Sequence, residues 1–438
     1  MRKYFNKRGI SLMLAACLTV MSAVIPATAN ANVCYAAEIG TNAEVGTESA
    51  SEPLVQPNSG ATTANTANAS IPAIADLKAQ ALATANYILG QTDFSDLTDT
   101  SKFYNASRNL ILCIRCGADC TTAINTYLTA VKQRINADGT LNVLIADYGY
   151  PNDIYSSYAY LLIVLALTNN EATDFNGTNL VLTFNNILRD SADNAFLNGY
   201  DTVNFTNTGI NPYHIGTINS ACVAYKDSMP DYAGISAKLK NALTTLTSEG
   251  KGIDYYGLSA DNNAVVYPHF INMYNTDATV KSLIDNVLSY TETTFFDKND
   301  GTTHTIYNDY MTGTVIDEPS PNSTALSLAF YAQFGKTELA AKSYNALMTY
   351  KSTVTPGAFT YYGSDNLYAA QDALIGLTTY MNALENKNNP FNVSEEVKLI
   401  NNLKSPNTGD NSPVLALMTL MLMSAVVILR FVGELRID

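Results

Sequence analysis

The short run "NPYH" brings Asn211, Tyr213 and His214 together. An amide that can neutralise a carboxylate, beside an imidazole and a phenol that can take up a proton, is the equipment for eliminating across a uronate sugar, as a polysaccharide lyase does. The plainer reading is a helix start, with Asn211 as cap, Pro212 at the first helical position and His214 satisfied locally. Asp153, Asp261 and Asp365 each open a helical segment. Two of them converging would form the carboxylate pair of an inverting glycoside hydrolase, although each also serves as a cap. Tyrosines cluster in the connections, as Tyr148 and Tyr150, Tyr255 and Tyr256, and Tyr361 and Tyr362. A tyrosine offers an apolar face and a polar tip, which suits stacking on a sugar or another flat ligand.

Other reactive residue types point less far. "CIRCGADC" holds Cys113, Cys116 and Cys120 at a spacing that invites a metal, yet an exported chain favours a disulfide. Cys116 with Cys120 is one pairing, and Cys222 with one of the three is another. The histidines are His214, His269 and His304 alone, and none is spaced with cysteine as a zinc set. No metal and no resident cofactor are expected. His269, after Tyr267-Pro268 in a helical pattern, reads as a buried, hydrogen-bonded ring, and His304 as a surface residue. Formal net charge is −14, a field that repels phosphate backbones and disfavours polyuronates, so nucleic acid is excluded as a partner. The chain has 28 tyrosines and no tryptophan.

Positioning these residues falls to helices. From 71 to 386 the apolar spacing is helical and predicts twelve segments: Ile74–Leu89, Ser101–Arg115, Thr121–Ile135, Ile154–Leu167, Asn179–Leu188, Tyr213–Tyr225, Ile235–Leu246, Ala264–Tyr274, Val280–Thr291, Ser323–Phe334, Glu338–Met348 and Tyr368–Leu384. Every second one opens alike, in "DTSKFYNAS", "PNDIYSSYA", "INPYHIGTI", "DNNAVVYPH", "SPNSTALSL" and "SDNLYAAQD". Six hairpins with small, weakly charged inner helices predict an all-α fold, an (α/α)6 toroid, with an open solenoid as the structural rival. The capped ends would meet at one mouth. Asp153, Tyr213, His214, Tyr255, Tyr256, Asn262, Tyr267, Asn322, Tyr361, Tyr362 and Asp365 are the expected ligand-binding residues there.

The ends of the chain describe its traffic. Arg2, Lys3, Lys7 and Arg8 precede an apolar stretch and small-residue cleavage sites, the layout of a signal peptide over 1–37. Leu14-Ala15-Ala16-Cys17 fits a lipobox, but the residues after Cys17 stay apolar where a lipoprotein tether would be polar. Residues 38–70 read as a disordered spacer, and 387–404 as a second, shorter linker. Over 405–438 comes "SPNTG", a polar spacer, and an uncharged run within an expected transmembrane helix at 414–432.

Ser405-Pro406-Asn407-Thr408-Gly409 resembles the (S/P)PxTG variant of the Gram-positive cell-wall sorting signal. The resemblance implies that a sortase cysteine attacks the Thr408 carbonyl, with Gly409 on the leaving side, and that peptidoglycan amine resolves the acyl-enzyme. The leading Ser405 in place of leucine, and a tail whose arginines are offset by Glu434 and Asp438, depart from the usual pattern. Without sorting, the run at 414–432 remains a membrane anchor. Residues 319–384 also look like the repeat of the squalene-cyclase and prenyltransferase superfamily, similar above all to non-catalytic toroids of clostridial surface proteins and cobalamin carriers. The chain lacks that superfamily's Asp-rich motif and its Gln-Trp signatures; "DKND" at Asp297–Asp300 sits in a turn. The expectation is therefore a wall-displayed, non-catalytic toroid binding a small molecule (a corrinoid in the sharpest version), a glycan or a host partner. The alternative is a secreted carbohydrate-active enzyme, a lyase or glycoside hydrolase, with Asn211, Tyr213 and His214 at its centre.

Overall fold

The computed structural model describes residues 70–308 and 313–403. The expected signal peptide, nearly all of the spacer, the sorting motif Ser405–Gly409 and the span at 414–432 lie outside the described residues. Among those described, no helix is long and apolar enough to cross a membrane. The chain divides into two compact units, 1–57 with 307–314, and 58–306 with 315–438. Only 307, 308, 313 and 314 of the first are described, and the architecture below belongs to the second.

The second unit is a chain of helical hairpins. Its helices are α1 (Ile74–Gln91), α2 (Thr100–Arg115), α3 (Thr121–Lys132), α4 (Ile154–Leu167), α5 (Leu180–Asp190), α6 (Tyr213–Ala224) and α7 (Tyr232–Leu246). There follow α8 (Ala260–Val266), α9 (Ile271–Thr276), α10 (Ala278–Thr294), α11 (Pro321–Gln333), α12 (Thr337–Thr349), α13 (Leu367–Leu384) and α14 (Ser394–Leu403). Four of the inner helices, α4, α6, α11 and α13, are buried along most of their length, as the lack of an apolar stripe on "IYSSYAYLLIVLAL" requires. Side-chain caps fix several starts: Asp99 accepts from Lys102 N at 2.9 Å, Ser259 from Asn262 N at 3.1 Å and Asn366 from Ala369 N at 2.9 Å.

The inner helices form a closed ring. α2 packs on α4, α4 on α6, α6 on α8, α8 on α11, α11 on α13, and α13 returns to α2. The outer helices α3, α5, α7, α10 and α12 each back the inner helix before them or its neighbour, while α1 wedges against α13 and α2. This return contact, between elements at opposite ends of the chain, makes the fold an α/α toroid and not an open solenoid. Close approach is built in. A Cβ on Gly376 of α13 would lie 2.4 Å from the Ala325 carbonyl of α11, so only glycine lets these two helices touch.

Three expectations need correction. The helix expected over Ala264–Tyr274 is broken into α8, a 3-10 turn at Tyr267–Phe270 and α9, because Pro268 carries no N–H for a regular helical bond. Short strands, absent from the reading of the sequence, precede inner helices: β1 (Asn198–Asp201) pairs with β2 (Thr206–Gly209), β3 (Thr247–Ser248) with β4 (Gly252–Ile253), and β7 (Phe359–Tyr361) with β8 (Ser364–Asn366). In addition β5 (Thr303–Asn308) and β6 (Val315–Ser320) lead into α11.

The third correction concerns 387–404, which is no bare linker. Phe391 is buried against Tyr160 and His269, with ring centroids 6.3 and 4.9 Å away, and α14 packs on α4 and α6. Arg115, the last residue of α2, donates to the Pro390 and Asn392 carbonyls at 2.8 and 2.7 Å and meets Glu396 at 2.6 Å. Polar cap residues hide that segment's one aromatic anchor in a plain reading of composition. The segment is thus a plug packed on α2, α4 and α6.

Phe391→Ala removes that plug. A buried phenylalanine truncated to alanine costs about 3–5 kcal/mol, so the midpoint of thermal unfolding is expected to fall by several degrees; an unchanged midpoint would show that the plug adds nothing to the ring.

Candidate functional site in the toroid lumen

Burying a charge is costly unless it is paired, and two buried side chains of opposite sign meet inside the ring. Arg108 of α2 and Asp372 of α13 are 2 % and 1 % exposed, with Arg108 Nη1 3.8 Å from Asp372 Oδ1. Arg108 also donates to the Tyr104 hydroxyl and to Gln371 Oε1, both at 2.9 Å. Asp372 Oδ2 accepts from Asn322 Nδ2 of α11 at 2.8 Å. The guanidinium lies 4.9 Å from the centre of the Tyr104 ring.

His214 of α6 joins the cluster through Tyr104, ring edge to face at 5.2 Å. α2 and α6 are not neighbours in the ring, so this contact is made inside it. Burial pushes the His214 imidazole below its usual range, partly offset by the negative charge of Asp153, and the ring is therefore neutral at ordinary pH. Its Nε2 stands 4.0 Å from Asp153 Oδ1, and its Nδ1 is shielded with no partner. Asp153 is committed elsewhere: its Oδ2 accepts from Tyr150 N at 2.8 Å and its Oδ1 from Asn211 N at 3.0 Å.

Asp261, in the first turn of α8, completes the set. Its Oδ1 is shielded from solvent and lacks a partner. Burial pushes its carboxyl up to about 7; a hydrogen bond from Ser323 works against the rise, and the charge of Asp372 adds to it. Asp261 is thus a carboxylic acid that holds its proton near neutrality. All six inner helices contribute to this cluster: α2 with Tyr104 and Arg108, α4 through Asp153 at its start, α6 with His214, α8 with Asp261, α11 with Asn322 and Ser323, and α13 with Gln371 and Asp372.

The tyrosines sort into two classes. Tyr148, Tyr256 and Tyr362 are 82 %, 56 % and 65 % exposed and all have positive φ, at 65°, 55° and 48°. Each precedes a glycine in the connection to α4, α8 or α13, which are alternate members of the ring. A bulky side chain in the left-handed region costs of order 1 kcal/mol or more, and such strain persists where the surroundings impose it. Tyr361 and Tyr362 stack with centroids 4.3 Å apart, and the Tyr362 hydroxyl donates to Glu318.

Other expected mouth residues turn out to build the mouth and not to face a ligand. Asn262 is fully buried; its amide donates to the carbonyls of Ile253, Tyr255 and Gly257 at 3.0, 3.0 and 2.9 Å, and its Oδ1 accepts from Tyr213 at 2.7 Å. Tyr255 is buried against Tyr213, centroids 5.5 Å apart. Tyr267 is buried with its hydroxyl on Thr247 at 2.7 Å. Asp365 lies on β8, its carboxyl held below the usual range by hydrogen bonds from Ser352 and Thr355, away from the lumen cluster. Asn211 Oδ1 accepts from Tyr213 N at 3.0 Å, as a cap does. The lyase-like trio is therefore not assembled: Tyr213 is spent on Asn262 and Asn211 on the helix start. The residues overlooked in the sequence are Tyr104, Arg108, Gln371, Ser323 and Asp372. Their signal was an arginine set in the middle of α2 in "ASRNLILC" and the lone charge of α13, the aspartate in "AAQDALIG".

Cys113, Cys116, Cys120 and Cys222 are all buried free thiols, so neither expected disulfide is present. The Cys116 thiol donates to the Cys113 carbonyl at 3.2 Å, and Cys113 shares a hydrogen bond with Cys120. Cys222 stands alone on α6, its thiol pushed up by burial. His269 is buried, pushed down to about 3, with its Nδ1 2.9 Å from the Ser220 hydroxyl. His304 is half-buried, its Nδ1 2.6 Å from Asp317. Among the described residues, no three of His, Cys, Asp and Glu converge on a metal position.

No family model and no curated protein matches the chain. Solved structures similar to it include an unsaturated glucuronyl hydrolase from Bacillus sp. GL1, at 12 % identity and TM-score 0.48 over 70 % of this chain and 96 % of that one. A polysaccharide lyase matches at 10 % identity and TM-score 0.49 over 71 % and 98 %. A family 76 mannosidase from Bacteroides thetaiotaomicron matches at 10 % identity and TM-score 0.42 over 71 % and 99 %. The toroid itself rests on its own ring of helix contacts.

Two outcomes follow from the lumen electrostatics. Asp261 binds its proton more tightly folded than unfolded, so stability falls as pH rises from about 4 to about 7. Asp261→Asn is expected to flatten that slope and to stabilise the protein by about 2–4 kcal/mol at pH 8, read from denaturant unfolding at stepped pH. Asp372→Ala strands Arg108 and is expected to cost about 3–5 kcal/mol, whereas the paired Arg108→Met/Asp372→Leu variant loses much less.

Proposed function

We propose that this is an exported glycan-processing protein whose lumen accepts a sugar at the tyrosine-lined mouth and cleaves its glycosidic bond, with Asp261 as general acid. The observation that carries the reading is the Asp261 carboxyl in the same cluster as Asp372, its Oδ1 shielded and unpartnered, where burial pushes it up to about 7. A glycosidic bond breaks when its bridging oxygen receives a proton while positive charge builds at the anomeric carbon. Asp261 supplies that proton. Water adds to the anomeric carbon and yields its proton to Asp372, whose negative charge also stabilises the developing cation. Tyr256 and Tyr362 present rings on which a pyranose can stack, and His214 Nδ1 and Asn322 Oδ1, both shielded and unpartnered, remain for sugar hydroxyls.

Export and attachment complete the proposal. Residues 1–37 direct secretion, and Ser405–Gly409 serves a sortase that links Thr408 to peptidoglycan, leaving the toroid on the cell surface. A second reading, a non-catalytic module that captures a glycan, a corrinoid or a host partner, is favoured by one fact: Asp153 and Asp372 are already tied by hydrogen bonds from Tyr150, Asn211 and Asn322. The likeness of residues 319–384 to the squalene-cyclase repeat supports that reading, since it brings no catalytic residue with it.

Incubating the purified full chain with neutral oligosaccharides and assaying new reducing ends separates the two. Turnover is expected to decline above pH ~7 as Asp261 ionises, and Asp261→Asn to lower kcat/KM by about 100-fold or more. Turnover undiminished in Asp261→Asn would overturn the assignment, and binding without turnover would establish the second reading. In cells, Thr408→Ala is expected to move the protein from the wall fraction to the membrane fraction.

A further inference from the structure

Beside the mouth, outside the ring, the turn before β1 and the β1–β2 hairpin overhang the start of α4. Beneath them lies a cleft of about 400 Å³, lined among others by Asn152, Tyr155, Asn194, Asn198 and Thr208. That size falls in the lower part of the ~300–1,000 Å³ range of small-molecule sites and suits one or two sugar rings. The cleft belongs to a different face of the helix start from the lumen cluster. Asp153 points inward to His214, and a helix turns about 100° per residue, so Tyr155, two positions on, points away from the lumen.

We propose that this cleft is a second, non-catalytic site that holds a neutral sugar unit of a chain whose other part enters the lumen, an inference that rests on the glycan reading above. No residue lining the cleft is charged, so nothing there rewards a carboxylate or sulfate. What the lining offers is three amide side chains, a threonine hydroxyl and a phenol, the mix of donors and acceptors that matches a ring of hydroxyls. The Tyr155 ring, packed on Phe196 with centroids 6.1 Å apart, supplies the apolar wall that the C–H face of a pyranose needs.

The cleft is also preformed. Asn152 Nδ2 donates to the Ala195 carbonyl at 3.0 Å and ties the floor to the overhanging turn. Gly209 has φ +76°, and a Cβ there would lie 1.7 Å from the Leu197 carbonyl, so this corner closes only on glycine. The hairpin is pinned toward the mouth by Asn207 Nδ2, which donates to the carbonyl of the exposed Tyr148 at 2.8 Å. The hairpin over the cleft and the loop that carries Tyr148 are therefore joined by a hydrogen bond. A site built before its ligand arrives gives up little entropy on binding.

Isothermal titration of the full-length Asp261→Asn protein, which leaves bound chains intact, tests this with manno-, cello-, xylo- and chito-oligosaccharides. Hexasaccharides of the preferred series are expected to bind about tenfold or more tightly than disaccharides, a gain of roughly 1.4 kcal/mol. Ala192→Trp, at an exposed position lining the cleft, fills it and is expected to abolish that gain with disaccharide affinity unchanged. Tyr155→Phe keeps the wall, removes the hydroxyl and should lose part of the gain. Chain-length dependence that survives Ala192→Trp, or that is absent from the start, overturns the second site while turnover in the unmodified protein leaves the lumen reading standing. If no oligosaccharide binds or is cleaved, both fall.

Discussion

A guanidinium sealed inside a ring of helices dictates much of the rest. Arg108 cannot be left without a counter-charge, and the counter-charge comes from Asp372, on the helix at the far end of the chain. α2 and α13 must therefore meet, which is the contact that shuts the ring. Tyr104, Gln371 and Asn322 then have no freedom of placement, because they satisfy the hydrogen-bonding capacity that the ion pair leaves over. A purely apolar lumen would close the ring equally well and be at least as stable. The polar set contributes a defined geometry in which one further carboxyl, Asp261, is pushed up to about 7 chiefly by burial, with the charge of Asp372 adding to the rise.

The two ends of the ring are finished differently. At the base, Phe391 and the Arg115 clamp fill the opening with apolar area and backbone hydrogen bonds. At the mouth, three tyrosines are kept exposed in a backbone conformation that aromatic residues avoid. Strain at three corresponding positions, each followed by glycine, is a repeated feature of the fold and not an accident of one loop.

The helices were legible because their signals are local. "IYSSYAYLLIVLAL" read as Ile154–Leu167 from its ends and apolar run, and the structure has those bounds. Asp99, Asn322 and Asn366 sit in the repeated openings that mark inner helices. The central cluster was not legible, because it joins residues far apart in sequence; Arg108 and Gln371 are 263 positions apart. Asn211, Tyr213 and His214 attracted notice because they are adjacent in sequence, yet adjacency at a helix start is what capping produces. Of the three, only His214 reaches the lumen. The hairpins escaped because a strand of two to six residues is made by its partner, and Phe391 because one buried ring in a polar segment leaves no periodic trace.

The proposed lumen chemistry turns on the state of one carboxyl group. Carbon-13 NMR titration of the aspartate side chains, with the Asp261 signal assigned by its loss in Asp261→Asn, reads that state directly. A midpoint near pH 7 is the predicted result. A midpoint near 4, the ordinary value for a solvated aspartate, would contradict it and leave the lumen without its acid.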